Sequence, residues 1–212
     1  RVTVLQLLNH VSGYRPDFDL GEKWVGRVGM IAALNKEKLR NPPGTRFVYS
    51  DINFEILGEI VAKVSSRRLE DFAEDVFRSI SANDTRFINF EPTGIAASNE
   101  TFPVDNINTF LARIAPSENI RGQNSYLGSK FEGDEKAGNE ILRGRVHDPT
   151  AFRMGGVAGH AGLFSTADHL APYAQMLAPV AGVGGGPVPY ERLQNFERQL
   201  ILAEPERCRG EM

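Results

Sequence analysis

The 212-residue sequence has a single cysteine, Cys208, so no internal disulfide can close, and a reducing or a disulfide-independent setting fits equally well. Positive charge is not in excess: 24 Lys and Arg stand against 27 Asp and Glu, for a net charge of −3. No basic stripe offsets that balance. A phosphate backbone needs clustered cations, so nucleic acid is not an expected partner. No apolar run approaches the roughly 20 residues that a membrane-spanning helix needs. The opening Arg1-Val2-Thr3 leads into an amphipathic stretch and lacks a signal-peptide layout. The compartment stays open: periplasmic or secreted if a longer parent carries a leader, cytoplasmic otherwise. Runs that alternate with period two are few and no internal repeat is present, so little sheet is expected.

What remains is an ordinary globular composition, 41% hydrophobic and 24% charged, arranged mainly in helices. Apolar spacing predicts a short helix from Thr3 to about Val11, with Val4, Leu7, Leu8 and Val11 on one face. A second is expected over about Gly21 to Leu39, and further helices over 52–64 and 69–80. Phe87-Ile88-Asn89-Phe90 reads as a short strand and 107–114 as a short helix. Residues 122–138 are polar and Gly-rich, an expected exposed excursion. Ser165-Thr166-Ala167-Asp168 fits a capping box, with Leu170, Tyr173, Ala174 and Leu177 as the buried face of the helix that follows. A Gly-rich break at 182–187 and a polar tail complete the chain. The expected organisation is therefore one partial domain over 1–178 and a divergent, flexible segment over 179–212.

The stretch Pro42-Pro43-Gly44-Thr45-Arg46-Phe47-Val48-Tyr49-Ser50-Asp51-Ile52-Asn53 carries the strongest functional signal. A Pro-Pro-Gly turn precedes a short β-rich run, and a helix-starter pair, Ser50 and Asp51, follows it. Asp51 reads as a good N-cap, and Glu55 in the first turn suits the positive end of the helix dipole. Tyr49 then lies just before the cap and outside the periodic core face, where a side chain can be presented to a cleft. A packed tyrosine on a well-capped helix is the plainer reading of the same residues.

Three segments, in order, resemble the serine β-lactamase and penicillin-binding-protein superfamily, and within it the class C-like branch of β-lactamase-related hydrolases. The stretch around Tyr49 is similar to that branch's Tyr-x-Asn motif. Val2 to Tyr14, with Leu7-Leu8-Asn9-His10-Val11-Ser12-Gly13, is similar to its Leu-Leu-Thr-His-Thr-Ser-Gly helix and turn. Gly155 to Asp168 is similar to its Gly-Gly-Leu-x-Ser-Thr-Ala-x-Asp turn and helix. The resemblance implies a fold class that is mainly α with a few short strands, the helical region of an α/β serine-hydrolase fold. It also implies an amide or ester substrate, with peptidoglycan-related molecules among the candidates, and no cofactor.

The resemblance casts Tyr49 as the catalytic phenol that works with the lysine of a Ser-x-x-Lys motif. No serine in the 212 residues is followed three places later by lysine, and no Lys-Thr-Gly-type strand is found. Lys136-Ala137-Gly138 and His160-Ala161-Gly162 are look-alikes in the wrong context. The chain thus reads as the interior of a larger hydrolase, inactive alone, or as a non-catalytic binding module derived from that fold. Asp51 stands where the motif has Asn; an ionised Asp accepts hydrogen bonds and cannot donate one to a substrate carbonyl. It remains a substrate-binding candidate beside its N-cap reading. Gly156, Gly159 and His160, in the turn that borders the cleft in this family, are the other candidates. His10 reads as a structural hydrogen bonder. His147, Asp148, His160 and His169 match no zinc spacing, so no metal site is expected. With both closing ends of the family's sheet apparently missing, helices 52–64 and 69–80 would keep uncovered apolar faces, and self-association is expected.

Overall fold

The computed structural model describes residues 1–19, 21–91, 94–95, 112–120 and 141–177. The expected excursion at 122–138, the helix at 107–114 for the most part, and the segment 179–212 lie outside the described residues. Two compact units make up the chain, Arg1–Asp71 with Phe87–Phe164 and Phe72–Arg86 with Ser165–Met212.

Helices α1 (Val4–Leu8), α2 (Gly26–Leu34), α3 (Asp51–Ser65) and α4 (Leu69–Ser79) come first. The short strands β1 (Arg86–Phe87), β2 (Phe90–Glu91), β3 (Gly94–Ile95), β4 (Pro116–Asn119) and β5 (Ile141–Arg143) follow. Helix α5 (Pro149–Arg153), strand β6 (Leu163–Phe164) and helix α6 (Ala167–Leu177) complete the described part. β2 pairs antiparallel with β3, and β4 with β5, the latter with a register shift between Pro116 and Glu118. No described strand exceeds four residues, in keeping with the scarcity of alternating runs. No helix among the described residues is long and apolar enough to cross a membrane.

Four helices differ in their bounds from the sequence reading, each for a reason visible in the structure. α1 stops at Leu8 because His10 turns into the left-handed region at φ 56°, which no α-helix continues through. Of its expected apolar face only Leu7 is buried; Val4 and Leu8 are exposed. Thr3 and Gln6 form the capping box that starts it. α2 is much shorter than 21–39. Past Leu34 the chain leaves the helix, and the Glu37 carboxylate is buried against the Arg15 guanidinium at 2.7 Å. α3 is capped by Ser50 and not by Asp51, which is the first helical residue. The Ser50 hydroxyl makes no capping bond; it donates to Arg15 O at 2.6 Å. In the second unit the α6 helix likewise begins one residue late: Thr166 Oγ1 accepts from His169 N, while Ser165 Oγ sits 2.6 Å from Thr85 Oγ1.

The core of the first unit gathers Phe18, Met30, Ala33, Ile52, Ala151, Met154 and Ala158, with Trp24, Ile31, Leu34 and Ile56 packed around it. Met30 and Ile52 are fully excluded from water, so α2 and α3 are joined through side chains. Trp24 sits outside α2, edge-on to Phe18 and under the Arg153 guanidinium at 4.2 Å. Main chain meets main chain elsewhere. The turn at Gly159 lies directly on α3, where a Cβ at position 159 would stand 1.9 Å from Phe54 O and 3.1 Å from Gly58 N. A Cβ at Gly58 would meet Gly159 Cα at 3.0 Å. In the second unit Phe77 of α4 and Tyr173 of α6 pack with ring centres 6.0 Å apart.

That contact predicts an asymmetric response to alanine. Gly159→Ala should lower stability by about 3 kcal/mol or more, because helix and turn must separate. Gly26→Ala, at φ +71° with nothing within 4 Å of the added Cβ, should cost only about 1 kcal/mol of backbone strain. Urea-unfolding midpoints of the two variants check this, and equal losses would contradict the packing described.

Candidate functional site

Tyr49 stands on the extended stretch that enters α3, and its side chain is 65% exposed. Its two flanking amides are both held by His10: Val48 N donates to His10 O at 2.8 Å, and Ser50 N donates to His10 Nδ1 at 3.0 Å. The phenol ring lies 4.6 Å from the imidazole, centre to centre, at an interplanar angle of 32°. Phe47 and Phe54 flank the same imidazole at 5.8 and 5.3 Å. His10 is thus a hydrogen bonder in the structure, as the sequence reading has it.

One turn into α3, Asn53 is fully buried and accepts from Ser12 Oγ. Ser12 Oγ in turn accepts from Tyr14 N. With Asp51 N donating to Pro16 O at 2.7 Å, the entry to α3 is sewn to residues 10–17 through both backbone and side chains. With Ser50 N on His10 Nδ1, the Asp51 bond answers two of the four amides that a helix start leaves without intrahelical partners.

Behind this entry lies a buried ionic group that the local pattern does not announce. His160 Nε2 bonds Asp148 Oδ1 at 2.8 Å, and its Nδ1 lies 2.6 Å from Glu55 Oε1, close in distance but misaligned for a hydrogen bond. The histidine side chain is 5% exposed and that of Glu55 1%. Burial by itself would lower the His160 pKa; the Asp148 hydrogen bond and the Glu55 carboxylate outweigh it and push the value up to about 10. The ring is therefore an imidazolium at neutral pH. Glu55 goes the other way: burial raises its pKa, against the lowering influence of His160. Asp148 resists the same burial and ends below the ordinary carboxylate value, held by His160 and by the amides of Ala151 and Thr150. The same imidazolium thus leaves its two carboxylates with opposite shifts, and the more deeply buried one bears the greater desolvation.

Asp148 is also the N-cap of α5, accepting from Ala151 N, with Pro149 at the first helical position. Two further carboxylates border the group. Asp17 accepts from Thr150 Oγ1 at 3.0 Å, and burial raises its pKa. Asp51 is raised by burial and by Asp17 and Asp148, while His160 opposes the shift.

Atoms of Asp51, Asp148 and His160 that could bind a metal lie within 4.8 Å of one another. In that trio His160 Nε2 is bonded to Asp148 Oδ1 at 2.8 Å, and its Nδ1 faces Glu55. His160, a candidate for substrate contact in the sequence, thus has both ring nitrogens directed at carboxylates. Gly156 and Gly159 both stand at close approaches of main chain. A Cβ at 156, where φ is +96°, would stand 2.5 Å from Ile88 O, and position 159 lies against Phe54 O. Asp51 is half-buried beside this group. Among the catalytic and substrate-binding candidates Tyr49, Asp51, Gly156, Gly159 and His160, Tyr49 is the exposed one. His147 instead approaches Glu118 at 3.7 Å, and His169 Nδ1 accepts from Asp84 N in the second unit.

Sequence reasoning missed Glu55 and Asp148 as partners of His160. A glutamate three residues after the core residue Ile52, on the face that should be apolar, is the one signal that points to it.

Removing the cation should be costly. His160→Gln leaves the buried Glu55 and the half-buried Asp148 uncompensated and should lower stability by about 3–5 kcal/mol, read from urea unfolding at pH 7. The pH dependence has a definite sign. The pKa of His160 is raised on folding, so its stabilisation is complete below the unfolded value of 6.5 and is lost as pH rises through about 10. The difference in unfolding midpoint between wild type and His160→Gln should shrink across that interval; a difference constant from pH 6 to pH 10 would remove the imidazolium from the account.

Comparison with known proteins gives this geometry its context. A protein of Escherichia coli (strain K12) described as "Putative D-alanyl-D-alanine carboxypeptidase" is 29% identical over 194 residues, 85% of this chain and 39% of that protein. One of the same description from Salmonella schwarzengrund is 27% identical over 198 residues, 87% of this chain and 40% of its own length. The chain thus spans about two fifths of the curated relatives it matches. Among solved structures, a class C β-lactamase mutant superposes with a TM-score of 0.52 at 19% identity, over 82% of this chain and 37% of that one. A penicillin-binding protein from Bacillus halodurans gives a TM-score of 0.52 at 19% identity, over 82% of this chain and 46% of its own. The likeness is one of fold: a mostly helical part of a β-lactamase/transpeptidase-like structure. The model of the family described as Beta-lactamase matches residues 1–200, and the chain belongs to that family.

Proposed function

We propose that this chain supplies the tyrosine-bearing part of a serine hydrolase that cleaves an amide or ester through an acyl-serine intermediate. The observation that carries the reading is Tyr49, exposed and pinned on both sides in a stretch similar to the family's Tyr-x-Asn motif. In such a reaction a serine hydroxyl attacks the carbonyl carbon and gives its proton to a neighbouring base. The tetrahedral species then collapses, the leaving amine or alcohol takes up a proton, and water later releases the acyl group. Tyr49, with a lysine from a Ser-x-x-Lys segment that the 212 residues do not contain, is assigned the two proton transfers. That segment is assigned to a longer polypeptide, and the chain by itself is read as inactive.

A substrate related to peptidoglycan stem peptides is favoured by the description of the curated relatives. Asp51 bears on the same choice. In place of an amide that could donate to a substrate carbonyl, it sets a half-buried carboxyl at the first turn of α3, so a substrate hydrogen bond at this position would have to come from a substrate donor. The missing Ser-x-x-Lys and this Asp for Asn together favour one alternative, a non-catalytic binding module that retains the fold.

Labelling with a fluorescent penicillin separates the two. The isolated chain should take no covalent label, whereas a longer protein carrying Ser-x-x-Lys should be labelled. In that longer protein, Tyr49→Phe should slow acylation by about 10²–10⁴-fold with the thermal transition unchanged. Near-normal turnover in the variant would take Tyr49 out of the mechanism. Exposed Val4, Leu5, Leu8 and Phe47 leave the isolated chain with uncovered apolar surface. It should therefore associate as concentration rises, and a sedimentation profile that stays monomeric over the micromolar range would refute this.

A further inference from the structure

The backbone of His10 is the starting point. It lies at φ 56°, a left-handed conformation that a residue with a Cβ keeps where its surroundings over-determine it. The reversal ends α1 and returns the imidazole over the entry to α3. There one residue holds the chain on both sides of Tyr49, through its carbonyl oxygen to Val48 N and through Nδ1 to Ser50 N. The phenol ring between these two anchors rests against the imidazole.

Hydrogen-bond logic fixes the state of that ring. A backbone amide only donates, so Nδ1 accepts and the ring proton sits on Nε2. The Asn53 side chain approaches the same nitrogen at 3.4 Å, and its Oδ1 accepts from Ser12 Oγ, so its Nδ2 is the end facing His10. Two donors thus converge on Nδ1. The sequence runs from Tyr14 N–H to the Ser12 hydroxyl, to Asn53, to His10 Nδ1, with Ser50 N–H joining at the end. Ser12 and Asn53 are shielded from water, so these bonds are not exchanged for solvent ones.

We propose that His10 is the positioning residue of Tyr49: its neutral imidazole and its carbonyl oxygen together fix where the phenol points, so that His10 acts on the reaction through Tyr49 without touching substrate. The proposal rests on the reading of Tyr49 as the proton-moving phenol. It goes beyond that reading by naming what aims the hydroxyl. Proton transfer demands hydrogen-bond reach, and a misplacement of about 1 Å costs on the order of 10²-fold in rate.

Two substitutions divide the contributions of His10. His10→Gly accepts φ 56° without strain and removes both the ring and Nδ1. His10→Asn also tolerates the left-handed region, and its Oδ1 can replace Nδ1 as acceptor, but it offers no ring to the phenol. The test is run in the longer protein with p-nitrophenyl acetate as probe, measuring kcat and KM separately and recording each thermal transition. His10→Gly should lower kcat by about 10²-fold with KM within about twofold, and His10→Asn should recover roughly a tenfold part of that loss. Placed in the Tyr49→Phe background, His10→Gly should cause no further loss, because the group it aims is gone.

A kcat for His10→Gly within threefold of wild type, while Tyr49→Phe is inactive, overturns the inference and leaves the role of Tyr49 standing. A further full loss in the Tyr49→Phe background also overturns it, since the effect then does not pass through Tyr49. Should His10→Gly fail to fold, His10→Asn carries the test, and wild-type kcat there is a refutation. Undiminished turnover in Tyr49→Phe alone removes the reading beneath both.

Discussion

A protonated histidine held between a buried and a half-buried carboxylate is the constraint on which the first unit depends. Glu55 comes from the second turn of α3, Asp148 from the cap of α5, and His160 from the turn that lies on α3. Two residues twelve apart in sequence, Asp148 and His160, therefore meet a distant third, Glu55, at one imidazole. Its two attractions oppose the desolvation of all three groups. The raised affinity of His160 for its proton shows that attraction prevails at the ring, whereas the raised pKa of Glu55 shows that burial prevails there. The ion group does not stand alone. Asp148 also caps α5, whose next residues Thr150 and Ala151 bond Asp17 and fill the core, so charge, cap and packing share the same few positions.

The entry to α3 is built on a different principle. Its groups are neutral and joined by hydrogen bonds: Ser12, Asn53, His10 and the amides of Val48 and Ser50. Such a network is directional: the Ser12 hydroxyl, the Asn53 amide and the amides of Tyr14, Val48 and Ser50 each meet an acceptor, which favours one conformation for the loop. The ionic group behind it fixes the helix as a body. Tyr49 thus stands at the outer edge of a support whose inner part is electrostatic and whose outer part is geometric.

Much of this was legible in the sequence and some was not. The helix at 51–65 followed from apolar spacing and the turn before it, and the glycines at 155–162 announced a close approach of main chain. The family followed from three short segments in order. The ends of α1 and α2 were misjudged because tertiary bonds override spacing there: His10 reverses the chain, and Glu37 leaves the helix for Arg15. Asp51 was read as a cap because propensity ranks it well, but Ser50 holds that place with its hydroxyl committed to Arg15 O. The pairing of Glu55 with His160 spans more than a hundred residues of sequence, and no local period encodes it. What the sequence does not tell is which main-chain atoms the glycines at 156 and 159 approach: the oxygens of Ile88 and Phe54 fill the space that a side chain would take.

The contact of Gly58 with Gly159 has a consequence for how related chains can vary in length. Helix and turn touch there without side chains between them, and the next residue along the turn is His160, already matched to Glu55 one turn back on the helix. Adding or deleting one residue within 55–58 or 159–160 would rotate or shift one partner past the other, with no flexible group to absorb the change. Relatives that keep this arrangement must then hold both short segments at constant length and accommodate gaps in the connections outside them.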